Sequence, residues 1–291
     1  MEKILYSASE AKSLAESGKA LIIDIRDDEA YAAGHIPGSV NIPDVFFFLA
    51  ETSPEGLAAM HKTFKDQFSA VGLDGKKTAI ICEDSLNTRY GGSCRGWWIL
   101  KYLGYPSVGV LDGGISAWKA SGFDTTTELT EATPADCPIN PIPDMLVTKE
   151  QMLDAIYDDS IIKLDNRDQD EWLGESSSPY GKDFVPRKGR LPNAVWVEWY
   201  SLMEDVDGVA QFKSPEATQA LLADRGVKTS DDIIIYCFKG ARASNTYVAL
   251  MLAGFTKLRI YFGSWNEWSK DPELPIESGL PSRSSPMRTV A

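Results

Sequence analysis

The chain has 291 residues, 43% hydrophobic and 24% charged, a length that fits two domains of about 150 residues, each able to bury its own core. Lys and Arg number 29 against 42 Asp and Glu, so the net charge of -13 repels nucleic acid and anionic lipid, and any anionic substrate must be read by local groups. No apolar run approaches the ~20 residues of a membrane span. Four scattered cysteines, Cys82, Cys94, Cys137 and Cys237, offer neither a disulfide framework nor a zinc site, since no CxxC pair or Cys/His cluster is present. The first residues run into a polar stretch without a signal-peptide core, and the expected location is the cytoplasm.

In chain order, one pattern is written twice. The apolar segment Leu21-Ile22-Ile23-Asp24-Ile25-Arg26 is a strand ending in Asp-x-Arg, followed by the turn His35-Ile36-Pro37-Gly38. Next comes a buried-type strand, Thr78-Ala79-Ile80-Ile81-Cys82, leading into Glu83 and then into a helical stretch ending near Gly104. Val110-Leu111-Asp112-Gly113-Gly114 and a helix start bearing Trp118 close the first half. The second half repeats the order. Ile161 to Arg167 again ends in Asp-x-Arg, and Arg190-Leu191-Pro192-Asn193 is the turn, reached after a longer insertion. Asp232-Ile233-Ile234-Ile235-Tyr236-Cys237 is the buried strand, whose register aligns Cys237 with Glu83. A helix over roughly 243–253 and Ile260-Tyr261-Phe262-Gly263-Ser264, with a helix start ending at Trp268, complete the repeat.

Strands alternating with helices predict a mainly parallel sheet covered on both faces, hence two three-layer α/β/α domains in tandem. The boundaries expected are 1–124 for the first domain, 125–144 for a Thr-, Pro- and Asp-rich linker, 145–277 for the second domain and 278–291 for a tail without apolar period.

Cys237-Phe238-Lys239-Gly240-Ala241-Arg242 stands where a buried strand gives way to a helix. In an open α/β sheet, ligands bind beyond the carboxyl ends of the strands, and the following helix presents free amides to an anion. A thiolate is such an anion. Gly240 permits a tight curl of N–H groups around the sulfur, and Lys239 and Arg242 add positive charge, all of which favour the nucleophilic thiolate of Cys237.

With these residues in place, the chain resembles the tandem rhodanese-domain sulfurtransferases, over both halves. The resemblance is carried by Tyr31-x-x-x-His35-Ile36-Pro37-Gly38, by the Cys237 loop, and by Tyr261-Phe262-Gly263-Ser264-Trp265-Asn266-Glu267-Trp268. It implies rhodanese-like domains, a catalytic Cys237 in the second, and a first domain made inactive by Glu83 at the cysteine position. It further implies a double displacement in which Cys237 takes sulfane sulfur from thiosulfate, releases sulfite and passes the sulfur to cyanide or a thiol. Phe238, Lys239, Gly240, Ala241 and Arg242 would contact the substrate, no metal or organic cofactor is implied, and the partners are a small anionic sulfur donor and a thiophilic acceptor. The alternatives are a mercaptopyruvate or persulfide donor, a protein sulfur acceptor, or a non-turnover carrier or binding module. A phosphatase fits poorly, because the spacing is C-x4-R and the cradle is one residue short for phosphate. Two departures bear on the donor: Phe238-Lys239 matches neither the thiosulfate nor the mercaptopyruvate pattern cleanly, and Glu171 stands where the well-known animal enzymes carry a donor-gripping arginine.

The remaining polar residues read as structural. Asp24 with Arg26, and Asp165 with Arg167, suit buried pairs fixing a turn, and His35 suits a hydrogen-bonding turn residue. Cys82 and Cys94 suit core packing, whereas Cys137, in the linker, is expected to be an exposed thiol. Arg187, in a local basic run, and Trp265 are candidate cleft residues, Trp265 walling the site while Trp268 packs the core.

Overall fold

Short apolar segments rich in Ile, Val and Leu become strands of two parallel sheets. The computed structural model describes residues 3–280. In the first half, β1 (Leu5–Tyr6), β2 (Ala20–Asp24), β3 (Val40–Asn41), β4 (Thr78–Cys82) and β5 (Val108–Leu111) lie in the order β1-β5-β4-β2-β3, every pair parallel. In the second half, β6 (Leu146–Val147), β7 (Ile161–Asp165), β8 (Val195–Trp196), β11 (Asp232–Tyr236) and β12 (Leu258–Tyr261) repeat that topology as β6-β12-β11-β7-β8, again all parallel. Side chains alternate between faces along a strand, yet four consecutive residues are buried in each of β4, β5, β7 and β11, so both faces of each sheet centre are covered. The fold is the tandem α/β arrangement anticipated from the repeat.

The contacts divide the chain into two compact units. The first takes residues up to Phe48, Leu57–Pro143 and Asp205–Gln211; the second takes Leu49–Gly56, Asp144–Glu204 and the described residues from Phe212 onward. Two short segments therefore group with the unit distant in sequence. The segment Leu49–Gly56 is held within the second unit by Thr52, whose N–H and hydroxyl donate to Glu267 at 2.6 and 2.8 Å, while the Lys149 N–H donates to Thr52 Oγ1. Asp205–Gln211 is the tip of a hairpin formed by β9 (Met203–Val206) and β10 (Val209–Phe212), whose Asp207-Gly208 turn has φ of 54° and 80°.

The Thr- and Pro-rich stretch after residue 124 is hydrogen-bonded along the first unit. His35 and Thr126 exchange main-chain bonds, Ala135 N–H donates to Ser69 O, Asn140 N–H to Leu103 O and Ile142 N–H to Tyr102 O. This corrects one expectation: Cys137 is buried, not exposed, because its N–H is fixed by Ser69 Oγ, and burial raises its thiol to about 11. Of the expected tail, residues 281–291 lie outside the described residues, while the Gly279 N–H donates to Leu173 O and its carbonyl accepts from the Arg190 guanidinium, both at 2.7 Å.

The Asp-x-Arg pairs are structural in both units. Arg26 folds onto Asp24 and donates to Gly34 O, and Arg167 folds onto Asp165 and donates to Gly189 O, each pair buried. His35 stacks on Tyr31, with its ring nitrogens against the carbonyls of Tyr31 and Glu128. Among the described residues no helix is long and apolar enough to cross a membrane.

Candidate active site around Cys237

Strand β11 ends at Tyr236, and the helix Ala241–Leu252 begins after four intervening residues, so the chain must reverse within 237–240. The reversal depends on Gly240, which has φ of +93° and whose added Cβ would stand 2.7 Å from the Phe262 ring. Only glycine fits both the backbone angle and the space. In this curl the Gly240 N–H donates to Cys237 Sγ at 3.1 Å, and the Ser244 hydroxyl caps the Gly240 carbonyl at 2.7 Å. Cys237 itself is 1% exposed.

The next strand and helix clamp the loop from outside. Trp265 N–H donates to Cys237 O at 3.0 Å, Asn266 N–H to Phe238 O at 2.9 Å, and Cys237 N–H to Ser264 Oγ at 3.2 Å. Ser264 adopts φ of +55°, a left-handed conformation uncommon for serine, and its hydroxyl in turn donates to Tyr261 O. The first unit has the same clamp around Glu83: Ile115 N–H donates to Glu83 O and Ser116 N–H to Asp84 O, at 2.8 and 3.0 Å. There the helix Gly92–Tyr102 presents its amino terminus to a carboxylate, with Ser93 N–H donating to Glu83 at 2.9 Å. Burial outweighs those donors and raises Glu83 to about 8.

The charged side chains of the loop are engaged. Arg242 is buried and donates to both Glu171 oxygens, at 2.6 and 3.0 Å, with Asp168 at 3.1 Å. Burial alone would lower the Arg242 guanidinium, but the Glu171 and Asp168 carboxylates, and the nearby Cys237, more than offset it and hold it charged. Glu171 is fixed by a capping box, since its side chain also accepts from Asp168 N–H at the start of the helix Gln169–Leu173. The Lys239 ammonium lies 5.0 Å from the centre of the Tyr180 ring. Phe238 is buried, in edge contact with Tyr180 and Phe184 at 5.5 and 5.9 Å.

The structure brings Cys237, Phe238, Lys239, Gly240, Ala241 and Arg242 into one turn, with Trp265 buried against its outside. The expectation that Trp265 walls the cleft is corrected: it is fully buried and, like Trp268, belongs to the second unit's core, with the Arg167 guanidinium 4.6 Å over its ring. The Arg187 guanidinium donates to the carbonyls of Trp268, Ser269 and Leu274, which makes it an anchor for its own segment. Sequence reasoning missed that Glu171 and Arg242 are partners, that Tyr180 and Phe184 reach the loop, and that Ser264 supports Cys237. The Asp168-x-x-Glu171 pattern signals only the capping box at the start of the helix Gln169–Leu173, and nothing along the chain marks Arg242 as the partner of Glu171. A separate open cleft of about 380 Å³, lined by residues including Glu51, Lys149, Glu150, Glu267 and Asp271, contains no residue of the Cys237 loop.

Known proteins resemble this chain over both halves. The rhodanese-like domain family matches residues 7–121 and again 148–271. Thiosulfate sulfurtransferase of Rattus norvegicus is 29% identical over 259 residues, covering 86% of this chain and 82% of the rat protein. The probable 3-mercaptopyruvate sulfurtransferase of Pseudomonas aeruginosa is 28% identical over 293 residues, covering 94% and 98%. Among solved structures, wild-type EanB superposes with a TM-score of 0.79 at 24% identity, over 95% of this chain and 69% of EanB. The two matched stretches span most of the chain, which belongs to the rhodanese-like domain family.

Proposed function

We propose that this chain is a sulfurtransferase in which Cys237 takes sulfane sulfur from a thiosulfate-type donor as a persulfide and passes it to cyanide or a thiol. The observation that carries this reading is the Gly240 N–H directed at Cys237 Sγ, at the start of a 12-residue helix. That arrangement suits a sulfur nucleophile and also its persulfide, which places negative charge one atom further out. The names of the relatives support the same coarse activity, and EanB, whose solved forms include a cysteine persulfide, is a precedent on this fold.

In this cycle the Cys237 thiolate attacks the outer sulfur of the donor. The donor S–S bond breaks, its electron pair leaves with sulfite, and Cys237 retains the sulfur as a persulfide anion. Attack by cyanide on that outer sulfur breaks the new S–S bond, releases thiocyanate and restores the thiolate. Lys239 orients the anionic donor, while Arg242, tied to Glu171 and Asp168, acts as a positioning residue for the first turn of the helix. The first unit, with Glu83 in the matching clamp, is read as catalytically silent. 3-Mercaptopyruvate is the second reading for the donor, supported by the Pseudomonas relative.

Steady-state transfer to cyanide with each donor tests the proposal. Cys237→Ala is expected to abolish transfer from both thiosulfate and 3-mercaptopyruvate, whereas Cys82→Ala and Cys94→Ala retain it. Transfer surviving in Cys237→Ala overturns the assignment, and the ratio of the two donors in wild type decides between them.

A further inference from the structure

We infer that the donor this site takes best carries a single negative charge and an aromatic group, in preference to the small dianion thiosulfate. The inference deepens the sulfurtransferase reading and rests on the proposed role of Cys237.

Charge is the first observation. Of the loop's two cations, Arg242 faces two carboxylates: Glu171 takes it in a two-point pair, and Asp168 stands 3.1 Å from the same guanidinium, while the Lys239 ammonium lies over the Tyr180 ring. The four side chains sum to zero. A dianion arriving at Cys237 therefore meets an arginine already neutralised, and it is repelled by the same carboxylates that neutralise it. A monoanion suffers half of that repulsion and can still be held by the Lys239 ammonium.

Shape is the second. The segment between Gly174 and Arg190, the insertion absent from the first half, carries Tyr180 and Phe184 onto Phe238, the residue next to Cys237. Tyr180 and Phe184 remain 40% and 56% exposed. The segment is built rather than loose: Ser177 N–H donates to Lys182 O, Val185 N–H to Ser177 Oγ, and Arg187 is pinned by three carbonyls. Because Tyr180 also lies under the Lys239 ammonium, a donor bound by that ammonium is adjacent to an aromatic surface. An aryl group on the donor would cover this surface, which a sulfonate oxygen cannot do favourably.

The group transfer balances for each probe. The Cys237 thiolate attacks the terminal sulfur of benzenethiosulfonate, the S–S bond breaks toward benzenesulfinate, and charge is conserved as one persulfide anion plus one sulfinate. Methanethiosulfonate reacts identically without the ring, and thiosulfate reacts with one more negative charge on donor and leaving group. Single-turnover loading of sulfur onto the protein is measured for the three, each rate divided by that donor's rate with a small free thiol. The expected order is benzenethiosulfonate, methanethiosulfonate, thiosulfate, with about tenfold or more between the first two, the scale of a modest pocket contact. Tyr180→Ser and Phe184→Ser should each lower the benzene-to-methane ratio, and Tyr180→Phe should retain it. Glu171→Gln, which removes one of the two carboxylate charges on Arg242, should raise thiosulfate relative to the other two. Thiosulfate as the fastest normalised donor, or a benzene-to-methane ratio unmoved in both serine variants, overturns the inference. These two surface substitutions keep it testable even where Glu171→Gln fails to fold. Failure of all three donors to load any sulfur removes the Cys237 reading itself, and this inference with it.

Discussion

Gly240→Ala separates the geometry of the Cys237 loop from the mere presence of the cysteine. At φ of +93° an alanine pays roughly 1–2 kcal/mol for the left-handed backbone. Its Cβ would also stand 2.7 Å from the Phe262 ring, and moving that packed ring costs about 1–3 kcal/mol more. Part of this strain is relieved if φ relaxes, and that relaxation turns the 240 N–H away from Cys237 Sγ, where it now donates at 3.1 Å. Loss of one hydrogen bond to a charged sulfur is worth about 1.5–3 kcal/mol, or roughly 10- to 150-fold in the rate of sulfur loading. Urea unfolding measures the first quantity, and a single-turnover time course of sulfur uptake by intact-protein mass measures the second. The expected result is a destabilised, folded protein with slower loading. Wild-type stability together with wild-type loading would refute the argument, since it would mean that neither the backbone angle nor the donor on sulfur matters.

Glu83→Gln should change the pH dependence of the first unit. A carboxyl raised to about 8 in the folded chain binds more protons than its unfolded counterpart. Its contribution is therefore fully present below the ordinary glutamate range and is lost as pH rises through about 8. The variant, unable to ionise, should gain hydrogen-exchange protection over wild type in the peptide spanning Thr78–Cys82 as pH increases from 5 to 9. A difference that stays constant with pH would contradict the buried, protonated state. Thr52→Val removes the hydroxyl that donates to Glu267 at 2.8 Å and accepts from Lys149 N–H. A cost of about 1.5–3 kcal/mol, read as faster proteolysis within Leu49–Gly56, is expected; an unchanged cleavage rate would show that this anchor is dispensable.

The repeat was legible because each half spells the same local chemistry. An Ile-rich strand closes on Asp-x-Arg, a second buried strand ends one residue before Glu83 or Cys237, and a left-handed glycine ends the following helix at Gly104 and Gly254. The clamp from Ile115 and Trp265 then follows, because each lies at the start of the helix after the last strand. What stayed hidden is non-local. Arg242 and Glu171 are 71 residues apart, and neither charge announces its partner along the chain. Lacking any apolar period, the insertion bearing Tyr180 and Phe184 gave no hint that it would pack on Phe238. Composition also misleads at Cys137: a polar Thr- and Pro-rich stretch suggests a solvated thiol, but its backbone groups find partners on Ser69, Tyr102 and Leu103 and carry the cysteine inward.

The most direct measurement is the mass of the intact protein after brief exposure to thiosulfate and, separately, to benzenethiosulfonate, followed by peptide mapping without reductant. The account predicts a gain of one sulfur atom, about 32 Da, confined to the peptide containing Cys237, removed by cyanide and absent in Cys237→Ala. A gain on another cysteine, or no gain with either donor, would contradict it.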